Sequence, residues 1–215
     1  MDEIMFVLEL IGAAAFAVSG AMVAIKKKAD VFGVLFLAVT TALGGGVMRD
    51  VLIGRIPPVM FVSYWYLLIS VVAALAVFID AYLRSEKYKL HLDKLDAVNN
   101  IFDAVGLAVF TVSGMNAAMP VSDNVILVLF VGMCTGVGGG MLRDVMTNTM
   151  PKVLRKRVYA VASLLGGGLY YVMYALGAPQ LLSVGCGMLL IFALRVFATI
   201  YKWNLPSVDI DQSEK

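Results

Sequence analysis

The chain carries one unit twice. The stretch Gly44-Gly45-Gly46-Val47-Met48-Arg49-Asp50-Val51 returns 94 residues later, Gly44 to Gly138, as Gly138-Gly139-Gly140-Met141-Leu142-Arg143-Asp144-Val145. The same offset lays Phe16-Ala17-Val18-Ser19-Gly20 on Phe110-Thr111-Val112-Ser113-Gly114. It also pairs Glu9 with Asp103, Gly12 with Gly106 and Pro57 with Pro151, without a gap. A duplicated sequence must fold into two like halves. Each half here brings an arginine–aspartate pair and three glycines into very apolar surroundings. Internal duplication in a hydrophobic chain marks many transporters and channels.

Those surroundings set the fold class. The chain is 61% hydrophobic and 15% charged, with a mean hydropathy of +0.89. A soluble domain carries about 45–50% apolar and about 25% charged residues. Uncharged runs fill 31–48, 56–79, 104–122, 124–142 and 158–194, and a bilayer core is crossed by roughly 20 apolar residues in a helix. The last run holds two spans, with Gly177-Ala178-Pro179-Gln180 as the turn between them. The expectation is an all-α integral membrane protein of seven transmembrane helices, at about 4–25, 31–54, 60–83, 101–118, 125–147, 158–176 and 180–201. Barrel strands alternate apolar and polar residues, and these runs do not. Asp2 and Glu3 precede the first span, so it lacks the basic start of a signal peptide and is expected to stay. Cys134 and Cys186 lie inside spans and read as small core residues, not as a disulfide framework or a metal site.

Charge sets the topology. Basic residues cluster after span 1 (Lys26, Lys27, Lys28), between spans 3 and 4 (Arg84, Lys87, Lys89, Lys94) and before span 6 (Lys152, Arg155, Lys156, Arg157). The connections after spans 4 and 6 have none. Basic loops face the cytoplasm, so the N-terminus is expected outside and the tail inside. The copies agree within the spans and disagree in loop charge: Lys26-Lys27-Lys28 falls on Pro120-Val121-Ser122. Three spans per copy is an odd number, so the second copy enters from the other face. The expected organisation is an inverted 3+3 repeat plus a seventh helix. Residues 1–83 form repeat 1 and 84–100 a polar cytoplasmic linker with the lone His91. Repeat 2 covers 101–176, the seventh helix 177–201 and a cytoplasmic tail 202–215.

Several side chains stand out as candidates for a solute path. Three successive glycines in a helix cost about 1 kcal/mol each relative to alanine. Gly44, Gly45, Gly46 and Gly138, Gly139, Gly140 are therefore expected to interrupt spans 2 and 5, the middle helix of each repeat, as broken helices do beside solute paths; close packing through small residues is the alternative. Gly166-Gly167-Gly168 has no adjacent charge and reads as packing. Arg49, Asp50, Arg143 and Asp144 are the sharpest signals. A charge deep in a span costs at least about 2.5–3.5 kcal/mol and faces the protein interior or a watery cavity. Neighbours on a helix point about 100° apart, so each arginine is expected to find its partner on another helix rather than in the adjacent aspartate. Ser19, Ser113, Thr41 and Thr135 offer hydroxyls to a cation, or else bond their own helix carbonyls. Glu9 and Asp103 read as acids favouring helix N-termini. Lys152, Arg155, Lys156 and Arg157 could meet anionic lipid headgroups.

The doubled Gly-Gly-Gly-x-x-Arg-Asp-Val, each preceded by a span with Phe-x-Val-Ser-Gly, resembles the prokaryotic members of the trimeric intracellular cation (TRIC) channel family, whose domain also carries a "glycine transporter" label. The resemblance covers about residues 4–201. It implies a homotrimer in the bilayer with a pore in each subunit, flanked by spans 2 and 5, passing K⁺ or Na⁺ without a cofactor. It implies that Arg49, Asp50, Arg143 and Asp144 line or gate that path.

Three function classes follow. A monovalent-cation channel of the prokaryotic cell membrane leads. A secondary transporter of a small zwitterion such as glycine is the alternative, since an Arg–Asp pair can hold a carboxylate and an ammonium. An enzyme fits poorly: HExxH and GxSxG are missing, and Arg49 stands where a dinucleotide fingerprint needs its third glycine. No nucleic-acid partner is expected.

Overall fold

The computed structural model describes residues 2–84, 92–155, 158–201 and 203. Lys87, Lys89 and His91 of the linker, Lys156 and Arg157, and the tail at 202 and 204–215 lie outside the described residues. The chain begins with α1 (Asp2–Lys26) and α2 (Val31–Leu52), then a short α3 (Val59–Val62) ahead of α4 (Tyr64–Leu83). The second half runs α5 (Leu92–Ala118), α6 (Val125–Met146), a short α7 (Lys152–Arg155), α8 (Val158–Ala175) and α9 (Gln180–Ile200).

The two halves use the same local devices 94 residues apart. Asp30 caps α2 by accepting the Gly33 N–H at 2.7 Å, and Asn124 caps α6 by accepting the Ile126 and Leu127 N–H groups at 2.9 and 3.3 Å. An N-cap acceptor fixes where the helix starts by satisfying its orphan donors. Past the ends of α2 and α6 the chain turns through the left-handed region at Gly54 (φ 73°) and Asn148 (φ 50°), the two residue types that tolerate it best. The next N–H groups, of Arg55 and Thr149, donate back to the Asp50 and Asp144 carbonyls at 2.7 and 2.9 Å.

Among the described residues six helices are long and apolar enough to cross a membrane, and α8 adds an apolar helix of 18 residues. Large apolar side chains stand on the outer surface, among them Phe32, Phe61, Ile126, Leu176 and Leu189. A water-soluble monomer rarely exposes apolar surface on this scale; lipid tails accept it. The protein is an all-helical membrane protein.

Three expectations need correction. The glycine triplets do not interrupt their helices: α2 and α6 run unbroken through Gly44–Gly46 and Gly138–Gly140. The triplets serve close approach instead. A methyl group on Gly45 would overlap the Thr135 carbonyl oxygen, and one on Gly139 the Thr41 carbonyl oxygen. The segment 84–100 is not all linker, because α5 starts at Leu92. Its polar first turns are held by partners, Asp96 by Lys26 at 2.7 Å and Asn99 by the Ser19 hydroxyl at 2.7 Å, so the helix continues into them. Span 3 is split: Ser63 is extended (φ −97°, ψ 110°) and separates α3 from α4.

Duplicated helices pack antiparallel. Along α1 and α5, Glu9 meets Ser113, Phe16 stacks on Phe110, and Ser19 meets Asn99, so contacts descend one helix as they ascend the other. Along α2 and α6, Gly45 faces Thr135 and Gly139 faces Thr41. The buried apolar side chains form two clusters, one mainly of α1, α2 and α4, the other mainly of α5, α6, α8 and α9. In the third triplet Gly166 seats against Ile191 of α9 and Gly167 against Met115 of α5, so these two serve packing, while Gly168 faces open space.

Candidate functional site

Two charged clusters form inside the protein, each completed by a serine from the other half. In the first, Arg49 of α2 is 2% exposed. Its Nη1 donates to Glu9 Oε1 of α1 at 2.8 Å and to Ser113 Oγ of α5 at 3.1 Å. Its Nε and Nη2 donate to the two oxygens of Asp50, at 2.8 and 3.3 Å. Asp50 Oδ2 also accepts the Val59 N–H at 2.8 Å, which ties the start of α3 to the end of α2. Glu9 additionally accepts the hydroxyls of Tyr66 and Ser113.

The second cluster repeats this plan. Arg143 of α6 is fully buried. Its Nη1 donates to Asp103 Oδ1 of α5 at 2.7 Å and to Ser19 Oγ of α1 at 2.6 Å, while Nε donates to Asp144 Oδ1 at 2.9 Å. Asp144 Oδ2 accepts the Lys152 N–H at 2.9 Å, as Asp50 does for Val59. Two further cations are added here. Arg195 of α9 lies 3.5 Å from Asp103 Oδ2 and stacks over the Tyr159 ring, 4.3 Å from its centroid. Lys152 Nζ lies 3.8 Å from Asp103 and donates to Asn100 Oδ1 at 3.2 Å.

The structure therefore brings Arg49, Asp50, Arg143, Asp144, Ser19 and Ser113 together, and arginines do meet groups from another helix and the other repeat. The expectation that neighbouring Arg and Asp would not pair is corrected. A guanidinium on a long stem swings sideways, and its fork embraces a carboxylate one residue away. Glu9 and Asp103 are also not helix-start acids. They sit well inside α1 and α5 as the buried counter-ions of the arginines, since a buried charge must be paired. Their matched spacing in the two copies was the signal for this role. Arg195 had no such signal, because α9 lies outside the repeat; only its acidity-free, apolar setting at the end of a span marked it.

Thr41 and Thr135 stand apart from the clusters. Their hydroxyls donate to their own helices, at the Leu37 and Val131 carbonyls, both at 2.6 Å. Lys152 points inward to Asp103 and Asn100 rather than outward to lipid headgroups. It lies in the short helix between spans, and burial pushes its ammonium down to about 8, against the pull of Asp103 and with the push of Arg143 and Arg195. An amine with a depressed folded pKa binds fewer protons folded than unfolded, so stability rises with pH between about 8 and its ordinary 10.5. The melting temperature of the wild type, measured against Lys152→Met, is expected to climb across that window; parallel pH profiles for the two proteins would refute the assignment.

A family model described as Glycine transporter matches the chain twice, over residues 6–81 and 100–175. The chain belongs to this family. The two matches stand at the same offset as the repeated motifs. Among its relatives, the UPF0126 membrane protein of Deinococcus radiodurans is 36% identical over 187 residues, covering 86% of this chain and 83% of that protein. The UPF0126 inner membrane protein YadS of Escherichia coli K12 is 32% identical over 209 residues, covering 96% and 97%. Solved structures extend the likeness to channels. A prokaryotic TRIC channel in 0.5 M KCl superposes with a TM-score of 0.86 at 36% identity, over 95% of this chain and all 100% of that one. The TRIC orthologue from Rhodobacter sphaeroides gives 0.83 at 30% identity, over 93% and 99%. The family member described here has the TRIC channel fold.

Proposed function

We propose that the protein is a monovalent-cation channel that passes K⁺ and Na⁺ through a path inside each subunit. It is an inverted 3+3 repeat completed by α9, assembled as a homotrimer in the bacterial cell membrane with its N-terminus outside. The observation that carries this reading is the likeness to solved TRIC cation channels over 93–96% of the chain. The antiparallel packing of the duplicated pairs α1/α5 and α2/α6 supports the inversion, and the alternation of basic loops supports the orientation.

The clusters supply the polar stations of such a path. Glu9 and Ser19 are ten residues apart on α1, so the clusters stand about 15 Å apart along the helix axes. Buried arginines repel cations, yet each is neutralised by carboxylates on either side. The first cluster holds two carboxylates to one cation, Arg49. The second holds three cations to two carboxylates. The first is thus the station that attracts a cation, and the second the one that resists it. The Tyr159 hydroxyl and Arg195 Nε are buried without a protein hydrogen-bond partner among the described residues, a capacity that a hydrated path would use.

Bilayer recording under a KCl gradient tests this. Discrete current steps reversing near the K⁺ potential are expected. Silence with verified insertion, together with saturable glycine uptake by proteoliposomes, would establish the small-zwitterion transporter instead. Within the channel reading, Glu9→Gln removes the excess negative charge of the first cluster. The reversal potential is expected to move away from the K⁺ potential, toward equal passage of K⁺ and Cl⁻; an unmoved reversal potential would remove Glu9 from the selectivity machinery.

A further inference from the structure

Among the described residues, Lys152 is the cation of the second cluster that can lose its charge. The cluster sets Arg143, Arg195 and Lys152 against Asp103 and Asp144, three positive groups to two negative. A guanidinium stays protonated in a protein, whereas a buried ammonium gives up its proton readily. Access separates the three as well. The side chains of Arg143 and Arg195 are 0% and 3% exposed, and that of Lys152 is 21% exposed. Only Lys152 is open to a surface from which a proton can come or go. It stands in the connection between α6 and α8, which the channel reading places in the cytoplasm.

Both ends of the residue are held. Its backbone N–H donates to Asp144 Oδ2 at 2.9 Å, while Nζ donates to Asn100 Oδ1 at 3.2 Å and lies 3.8 Å from Asp103 Oδ2. Asn100 and Asp103 are three residues apart on α5 and share a face. The charged groups that act on the ammonium are Asp103 of α5, Arg143 and Asp144 of α6 and Arg195 of α9, with the Tyr159 ring of α8 stacked on Arg195. Burial, with the two guanidiniums and against the two carboxylates, brings Lys152 down to about 8. The first half has no such residue: the 94-residue offset lays Lys152 on Pro58.

We propose that Lys152 determines cation passage at the second cluster: its ammonium holds that station one positive charge above balance, and release of the proton to the cytoplasm opens the station to K⁺. The inference rests on the channel reading. A fixed positive charge beside a narrow path is an electrostatic barrier to cations. With Lys152 neutral, two positive groups face two negative ones and the barrier falls.

Recording in phosphatidylcholine bilayers, with symmetric KCl and the pH of one chamber at a time stepped from about 7 to about 9, brackets the Lys152 transition. The time-averaged K⁺ current per wild-type channel is expected to rise at least about threefold, from one chamber only. Lys152→Arg keeps the charge and is expected to stay at the low level at both pH values. Lys152→Met removes it and is expected to stay at the high level at both. A merely structural role would move the two variants in the same direction. Tyr159→Phe removes a neighbouring hydroxyl that also ionises at alkaline pH, and is expected to keep the wild-type response. A wild-type current indifferent to pH, a response that survives in Lys152→Met or Lys152→Arg, or one lost in Tyr159→Phe overturns the assignment and spares the channel. Silence of the wild type and every variant, in protein shown to be inserted, overturns the channel reading and this inference with it.

Discussion

Asp103→Asn is expected to cost about 3–5 kcal/mol of stability, because removing one member of a buried ion network strands the others. Asp103 is fully buried and faces Arg143 at 2.7 Å, Arg195 at 3.5 Å and Lys152 at 3.8 Å. Without its charge, three cations are left with Asp144 alone. Thermal unfolding in a mild detergent measures the loss. The comparison that makes it diagnostic is Asp96→Asn. Asp96 also pairs with a lysine, Lys26, at 2.7 Å, but the two side chains are 52% and 50% exposed. An exposed pair contributes about 0–1 kcal/mol. Similar losses in the two variants would mean that the second cluster is hydrated and screened like a surface, and the buried network described here would be wrong.

Gly139→Ala and Gly45→Ala are expected to destabilise by about 3 kcal/mol each, at the upper end for overpacking. Each added methyl meets a backbone carbonyl oxygen of the facing helix, Thr41 or Thr135, which cannot rotate aside as a side-chain tip would. Relief requires α2 and α6 to move apart, and that displaces Arg49 and Arg143 a turn or so further along the same helices. Gly168→Ala is the counterpart. Nothing lies within 4 Å of its added methyl, so the helix propensity of alanine is gained, up to about 1 kcal/mol of stabilisation. Tolerance of alanine at Gly45 and Gly139 would mean that the helices are looser at their crossing than the structure shows, and would reopen the possibility that the triplets unwind.

These variants fall on residues whose partners sequence reasoning left open, beside others that it placed correctly. Arg49 and Arg143 were legible because a charge in an apolar span has few physical outcomes, and duplication removed the chance that either was incidental. That each arginine would meet a group from another helix was legible for the same reason. What the glycines do was not legible, since a glycine's effect lies in the absence of a side chain. Whether the vacancy becomes a break or a contact depends on which backbone approaches it. The Arg–Asp neighbour pairs were misjudged because helical angle fixes only where Cβ points, whereas the reach of a guanidinium is set by its stem and by the space around it.

The sequence by itself determined the all-helical membrane class, the place of the long apolar helices to within a few residues at most ends, the duplication, and the buried arginine–aspartate pairs, because these follow from hydropathy, periodicity and the cost of burying charge, which are local properties. Only the tertiary structure decided the partners: Glu9 and Asp103 as counter-ions, Arg195 and Lys152 as the cations that make the second cluster unlike the first, and Phe16 against Phe110 between them. Partnership is a property of two segments brought together across 40 residues or more of chain, as for Glu9 with Arg49 and Asp103 with Arg143. It is fixed by which helix faces meet, and no local pattern contains that choice.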